Sequence, residues 1–200
     1  MSKVAVIYYS STGTNHAMAQ AVGEGAREAG ADVRVRLVTE TAPDAAVDGN
    51  PGWRAFVDRT KDEPRATLDD LEWADAIIFG TPTRYGNVAS QLKAFLDSTG
   101  RIWAAGKLAD KVYSGFTSAQ NAHGGQESTL LALYTTIHHF GGILVTTGYT
   151  DPVTSASGGN PYGPSVTTTP KGNPPTEADL AHARYLGQRV TRFADRLTTR

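Results

Sequence analysis

A hydroxyl-rich segment, residues 10–15 (SSTGTN), follows a short apolar run at residues 4–8, and apolar or small residues then recur at helical spacing from Ala17 to Ala29. A strand that passes through hydroxyls directly into a helix can hold a phosphate. The hydroxyls and the free N–H groups of the first helical turn donate hydrogen bonds, and the helix dipole is positive there. Because the segment lacks the Lys of a G-x-x-x-x-G-K loop, it favours a single phosphomonoester over a Mg²⁺-bound triphosphate.

Two further segments, residues 80–87 (GTPTRYGN) and 118–125 (SAQNAHGG), also follow apolar runs and also contain no Asp or Glu. A phosphoacceptor receiver domain has the same rhythm of strands and helices, but it needs carboxylates after its first and third strands to hold Mg²⁺. Tyr9, Ser10 and Thr81 occupy those places here, which excludes that function. Acid-free loops suit an electron-rich ligand that is contacted by N–H groups and hydroxyls.

The segment at residues 80–87 has the composition of a loop that borders a planar heterocycle, with Tyr85 or Trp103 near the face of the ring. The alternative is an ordinary strand-to-helix turn in which Asn87 is the N-cap, and Trp103 could equally belong to the core. Similarly, Gly124 and its neighbouring glycine could mark a plain helix entry or a close backbone approach to a ligand.

A pair of adjacent histidines, His138 and His139, is the other group that could take part in chemistry. No third ligand or acid stands at metal spacing around the pair, so we predict no metal site. We expect one histidine to be packed or at the surface and the other to face the ligand.

These segments are positioned by an alternation of strands and helices. Strands are predicted at residues 4–8, 33–38, 76–79, 111–118 and 142–148, and helices at 17–29, 88–98, 126–140 and 177–197. The alternation predicts an α/β fold, a doubly wound parallel sheet with helices on both faces. Ligands of such sheets bind at the carboxyl ends of the strands, where the three polar segments begin.

Two stretches, near residues 41–67 and 151–175, interrupt the alternation with Gly, Pro and polar residues. Both contain aromatic residues, namely Trp53 and Phe56 in the first and Tyr162 in the second. We expect these insertions to pack against a site or a partner subunit, the alternative being mobile surface loops.

The composition limits the class of protein. The 200 residues are 40% hydrophobic, which fits a single domain spanning 1–200. The net charge of −1 gives no support to a nucleic-acid partner. Cys is absent, and no apolar run is long enough for a signal peptide or a membrane helix, so we predict a soluble cytoplasmic protein without membrane insertion.

Taken in order, four segments resemble the WrbA-type NAD(P)H:quinone oxidoreductases. They are residues 8–15 (YYSSTGTN), 79–103 (FGTPTRYGNVASQLKAFLDSTGRIW), 123–129 (HGGQEST) and 158–163 (GGNPYG). The resemblance covers nearly the whole chain. It implies a flavodoxin-like fold with a five-stranded sheet of order 2-1-3-4-5, bound FMN, and two-electron reduction of quinones to hydroquinones by NADH or NADPH, with ping-pong hydride transfer through the flavin N5.

By this resemblance, the first segment would hold the FMN phosphate, and Thr83, Arg84 and Tyr85 would line the ring. Trp103, Thr12 and His139 would contact the nicotinamide or quinone, and no residue need act as an acid or base. The full predicted cofactor-binding set is Ser10, Ser11, Thr12, Gly13, Thr14, Asn15, Thr81, Pro82, Thr83, Arg84, Tyr85, Gly86, Asn87, Ser118, Ala119, Gln120, Asn121, Ala122, His123, Gly124 and His139.

The resemblance also implies a homotetramer in which neighbouring subunits complete each site, with residues 158–163 as a candidate contributor. The chain departs from the family at Thr12, where many members carry an aromatic residue that helps to hold the nicotinamide. Alternative functions are a flavodoxin-like electron carrier, an FMN or azo reductase of the same fold, and an interaction protein without cofactor.

Overall fold

The computed structural model describes residues 1–169 and 172–198. The strands are β1 (Lys3–Tyr8), β2 (Asp32–Leu37), β3 (Ala76–Pro82), β4 (Val112–Ala119), β5 (Ile143–Leu144) and β6 (Ser165–Thr167). The helices are α1 (Thr14–Glu28), α2 (Asp44–Asp48), α3 (Pro51–Arg59), α4 (Leu68–Trp73), α5 (Ser90–Asp97), α6 (Gly100–Ala104), α7 (Gln126–Phe140), α8 (Pro152–Ala156) and α9 (Glu177–Thr198).

The sheet is parallel and has the order β2-β1-β3-β4-β5, which confirms the predicted doubly wound topology. Strands β3 and β4 are buried along their whole length, because both faces of the sheet are covered. Side chains alternate between the two cores: Val6 and Ile78 face the side of α1 and α9, whereas Ile7 and Ile77 face the side of α5 and α7.

The fifth position of the sheet differs from the prediction of one strand at residues 142–148. Strand β5 pairs only with Val112 and Tyr113 of β4, whereas β6 pairs with residues 117–119 further along the same edge. The chain leaves the sheet after β5 and returns at Pro164, where the N–H of Thr117 donates to the Pro164 carbonyl (3.0 Å). Two short strands therefore share one place at the edge, and the second insertion lies between and after them.

The two insertions are largely ordered elements. The first contains α2 and α3, and α3 is capped by Asn50, whose Oδ1 accepts from the Trp53 N–H (3.2 Å). Phe56 of α3 is buried in the core under α1, while Trp53 is half-buried. The second insertion contains α8, β6 and the exposed Tyr162; its residues 170 and 171 lie outside the described residues. Among the described helices, none has the length and apolar character needed to cross a bilayer.

A buried histidine fastens the second insertion to α9. His182 is 1% exposed, and its Nδ1 lies 2.7 Å from the Ser157 hydroxyl, while its Nε2 lies 3.1 Å from the Thr147 hydroxyl. Burial lowers the pKa of His182 from 6.5 to about 4, although Asp179 and Asp151 oppose the shift. The imidazole is therefore neutral in the folded protein at neutral pH, where both ring nitrogens have hydrogen-bond partners.

We expect His182 to make the protein sensitive to mild acid. Between pH 6.5 and 4 the unfolded chain binds a proton at this residue that the folded chain does not bind, so the free energy of unfolding falls as the pH falls. Relative to His182→Gln, the wild type should lose roughly 2–3 kcal/mol across this window. Urea unfolding of both proteins at several pH values measures the difference. Parallel curves for the two proteins would contradict the prediction.

Candidate functional site

A cavity of about 750 Å³ opens where β1, β3 and β4 end, within the roughly 300–1,000 Å³ that is typical of small-molecule sites. The three polar segments that follow these strands form most of its wall. The lining residues are Ser10, Ser11, Thr12, Thr14, Asn15, Asn50, Gly52, Pro82, Thr83, Arg84, Tyr85, Ser118, Ala119, Gln120, Asn121, Gly124, Thr168, Thr169 and Gly172.

The loop between β1 and α1 presents unused donors to this cavity. Gly13 is the N-cap of α1 with a φ of 107°, and its N–H donates to the Ser10 hydroxyl (3.0 Å). The first hydrogen bond of the helix runs from the Ala17 N–H to the Gly13 carbonyl (3.0 Å), so the N–H groups at residues 14–16 have no acceptor within the helix. These donors and the helix dipole together form a site for an anion.

A buried amide beside these donors is also incomplete. Asn15 is 1% exposed and lines the cavity, yet its Oδ1 has no hydrogen-bond partner among the described residues. Burying an unpaired polar atom is costly, and such atoms are usually satisfied by a partner. A polar ligand in the cavity would remove this cost.

The loop after β3 reaches across to the anion loop. Arg84 and Asn87 exchange backbone hydrogen bonds of 2.8 and 3.0 Å, which closes a tight turn around Tyr85. Tyr85 has a φ of 52° and a fully exposed side chain at the cavity mouth. Arg84 Nη2 donates to the Ser11 hydroxyl (3.4 Å). A non-glycine residue in the left-handed region costs free energy and is common at ligand sites.

Two threonines of the predicted set support the loop from within, and one of them, Thr83, also lines the cavity. The Thr81 hydroxyl accepts from the Ala89 N–H (2.9 Å) at the start of α5, and the Thr83 hydroxyl lies 2.5 Å from that of Thr129 in α7. The alternative in which Asn87 caps the next helix is wrong, since Ala89 is the N-cap of α5.

Ser118 and Ala119 at the end of β4 line the cavity, as do Gln120, Asn121 and Gly124 of the loop that follows. The exposed Ala122 and His123 of this loop do not. This loop contacts the loop after β3. A Cβ on Gly125 would lie 2.9 Å from the Gly86 Cα, so the backbone at Gly86 leaves no room for a side chain at position 125. Gly125 therefore packs against another loop and is the N-cap of α7, whereas Gly124 lines the cavity, and a close approach of the pair to a ligand stays a prediction.

Both insertions contribute to the wall, which the sequence indicated only through their aromatic residues. Asn50 and Gly52 come from the first insertion; Thr168, Thr169 and Gly172 come from the second. Glu40 fastens the first insertion to the sheet, because its Oε2 accepts from the Tyr9 hydroxyl (2.7 Å) and the Trp53 Nε1 (2.8 Å). Burial alone would raise the pKa of Glu40, but hydrogen bonds from Ala42, Gln91, Tyr9 and Trp53 outweigh it and lower the pKa.

Trp103 and His139 are not brought to the cavity within one chain. They lie together, since the Trp103 Nε1 donates to the His139 carbonyl (2.7 Å), and both side chains are exposed. Helix α7 begins beside the cavity, and His139 is at its other end, roughly 20 Å along the helix axis. His138 is exposed at the same end.

The lining carries no carboxylate among the described residues, and Arg84 is its charged side chain. Among all the residues that the structure describes, no cluster of His, Asp and Glu is arranged to hold a metal ion. The cavity therefore offers hydroxyls, amides, backbone N–H groups and one guanidinium. This donor set fits a ligand with a phosphate at one end and a polar heterocycle at the other.

The chain matches other proteins over nearly its whole length. Residues 2–150 match the family model described as NADPH-dependent FMN reductase. A protein of Deinococcus radiodurans named NAD(P)H dehydrogenase (quinone) is 50% identical over 195 residues, which cover 98% of this chain and 96% of the relative. A protein of the same name from Azorhizobium caulinodans is 44% identical over 202 residues, which cover 98% of this chain and 99% of the relative.

Solved structures agree with this assignment. The crystal structure of a WrbA-like flavodoxin from Agrobacterium tumefaciens has a TM-score of 0.69 at 29% identity, covering 98% of this chain and 99% of the other. An archaeal flavodoxin at 22% identity and a TM-score of 0.63 supports the fold alone. The expected resemblance is confirmed: the chain belongs to the NADPH-dependent FMN reductase family and, within it, to the WrbA-like NAD(P)H dehydrogenases (quinone).

Proposed function

We propose that the protein is an FMN-dependent enzyme that reduces quinones to hydroquinones with NADH or NADPH. The observation that carries the proposal is the cavity at the start of α1. Among the described residues its lining has no carboxylate, the N–H groups at residues 14–16 have no acceptor within the helix, and the Asn15 Oδ1 has no partner, so a polar ligand could bind to them. The names of the most similar relatives support the substrates and the electron donor. A cytoplasmic location stays a prediction.

The chemistry that bound FMN supplies is hydride acceptance at N5 from the nicotinamide and hydride donation to the quinone, in two successive half-reactions. The chain supplies binding and orientation. Residues 10–15 hold the phosphate through N–H groups and hydroxyls, and Arg84 and Tyr85 border the ring at the mouth of the cavity. We propose that no side chain acts as an acid or base, in line with the lack of carboxylates among the described residues of the lining, so that water supplies the hydroquinone proton.

We further propose a homotetramer in which Trp103 and His139 of one subunit complete the cavity of a neighbour. The proposal rests on their distance from the cavity of their own chain and on the exposure of the large Trp103 side chain, which is 50% exposed. Residues 158–163 remain a further candidate contributor, with the carbonyl of Tyr162 bound by the Tyr134 hydroxyl.

A single titration tests the proposed function. FMN is added to the purified protein until its fluorescence change saturates, and NADH, NADPH and then benzoquinone follow. Bleaching of the flavin absorbance by a nucleotide and its recovery with benzoquinone under exclusion of oxygen would support the proposal. Binding without bleaching would favour an electron carrier instead, and absence of binding would remove any FMN-dependent function.

The phosphate loop assignment predicts the effect of a charge at Thr12, an exposed residue that lines the cavity. Thr12→Asp places a carboxylate beside the proposed phosphate site. Like charges about 4 Å apart near a protein surface repel by a few kcal/mol, so we expect the Kd for FMN to rise at least about 100-fold. The neutral, similarly sized Thr12→Asn should change it only slightly. Fluorescence titration measures both. Normal FMN affinity in Thr12→Asp would show that the phosphate binds elsewhere.

If two subunits build each site together, two variants that are inactive alone should restore activity when they assemble into one tetramer. Thr12→Asp damages the loop, and Trp103→Ala damages the residue that a neighbour would supply. After co-expression and random assembly, about a quarter of the sites combine an intact loop with an intact Trp103, so quinone reduction should return to about that fraction of the wild-type rate. Native mass spectrometry checks for four copies. If mixed assemblies form and activity does not return, each site is built from one chain.

A further inference from the structure

A guanidinium of the first insertion lies against the anion loop. Arg59 is at the end of α3, and its Nη2 is 3.2 Å from the position that a Cβ on Gly13 would take. Its guanidinium carbon stacks on the Phe56 ring, 5.4 Å from the ring centroid. Phe56 is 3% exposed and packs edge-on against the His16 imidazole at a centroid distance of 5.8 Å. The guanidinium of Arg59 thus lies over a buried ring and beside the N-cap of α1.

The Arg59 guanidinium has no carboxylate partner in the part of the chain that the structure describes. Its side chain is exposed and forms no hydrogen bond or ion pair with the described residues. The nearby carboxylate of Glu63 is instead within 3.6 Å of His16 Nδ1 and accepts from the Tyr8 hydroxyl (3.2 Å). Burial lowers the pKa of His16, Glu63 opposes that shift and Arg59 adds to it, so His16 is neutral at neutral pH. Arg59 therefore offers a positive charge that no carboxylate among the described residues pairs with.

A phosphomonoester needs more positive charge than the loop itself contains. Such a group carries about −1.5 to −2 charges at neutral pH, whereas a helix N-terminus is equivalent to roughly +0.5. Residues 10–15 contain no Lys or Arg. Arg84 approaches the loop from the β3 side through Ser11, and Arg59 approaches it from the α3 side beside Gly13.

We propose that Arg59 is a positioning and specificity residue that selects the phosphorylated flavin, FMN, over riboflavin. The inference rests on the proposed FMN-dependent function and deepens it by assigning a role to the first insertion. Arg59 adds charge next to the phosphate, and its guanidinium is pre-oriented by the Phe56 ring, so little side-chain entropy is lost on binding.

The test compares dissociation constants for FMN and riboflavin, measured by quenching of flavin fluorescence, at about 20 and 200 mM salt. For Arg59→Gln we expect the Kd for FMN to rise about three- to ten-fold and the Kd for riboflavin to stay the same. The salt dependence of FMN binding should become weaker, because one fewer charge is neutralised on binding. Arg59→Lys keeps the charge and should restore most of the affinity.

Lys61→Gln is the matched control, since it removes one exposed positive charge two residues further along the chain. We expect it to leave both constants unchanged. An equal loss of affinity for FMN and riboflavin in Arg59→Gln would overturn the inference and assign Arg59 to packing alone. An unchanged Kd for FMN in this variant would also overturn it. If the wild type binds neither flavin, the proposed function itself fails; if it binds FMN tightly while Arg59→Gln is indistinguishable, only the role of Arg59 falls.

Discussion

The site depends on the position of β1 between β2 and β3. The chain winds away from β1 over one face of the sheet through α1 and over the opposite face through α5 after β3, because parallel strands need crossover connections of one hand. The two loops that leave the carboxyl ends of β1 and β3 therefore diverge and open a crevice. The ligand site lies in this crevice, and the remaining features of the molecule shape or deepen it.

The polar groups of the crevice that have no hydrogen-bond partner decide which kind of ligand can bind there. Free N–H groups begin α1, and the Asn15 amide is buried without a partner for its oxygen among the described residues. Two carboxylates of the surrounding segments are occupied: Glu40 accepts from Tyr9, Trp53 and Gln91, and Glu63 lies 3.6 Å from His16 Nδ1. Carboxylate charge is thus held away from the cavity in the described part of the chain. There the N–H groups of α1 and the Arg84 guanidinium can donate to an anion, and the Asn15 oxygen can accept from a polar group of the same ligand.

The insertions turn a simple sheet edge into a deeper site. The first brings α3 against the anion loop and supplies Asn50 to the wall, while the second returns to the sheet as β6 and supplies Thr168. Each is held by a polar hub, Glu40 for the first and His182 for the second. A buried hub of this kind fixes the position of a loop because each unmade hydrogen bond would be costly.

The sequence by itself determined the local events: the apolar runs predict β1, β3 and β4, helical spacing predicts α7 over residues 126–140, and hydroxyls without acids predict an anion loop at residues 10–15. These follow from periodicity and from the chemistry of neighbouring residues. Only the tertiary structure decided that β5 and β6 share one sheet position, that Arg59 lies beside Gly13, and that Trp103 is remote from its own cavity. Those facts depend on contacts between residues far apart in the chain, which no local spacing encodes.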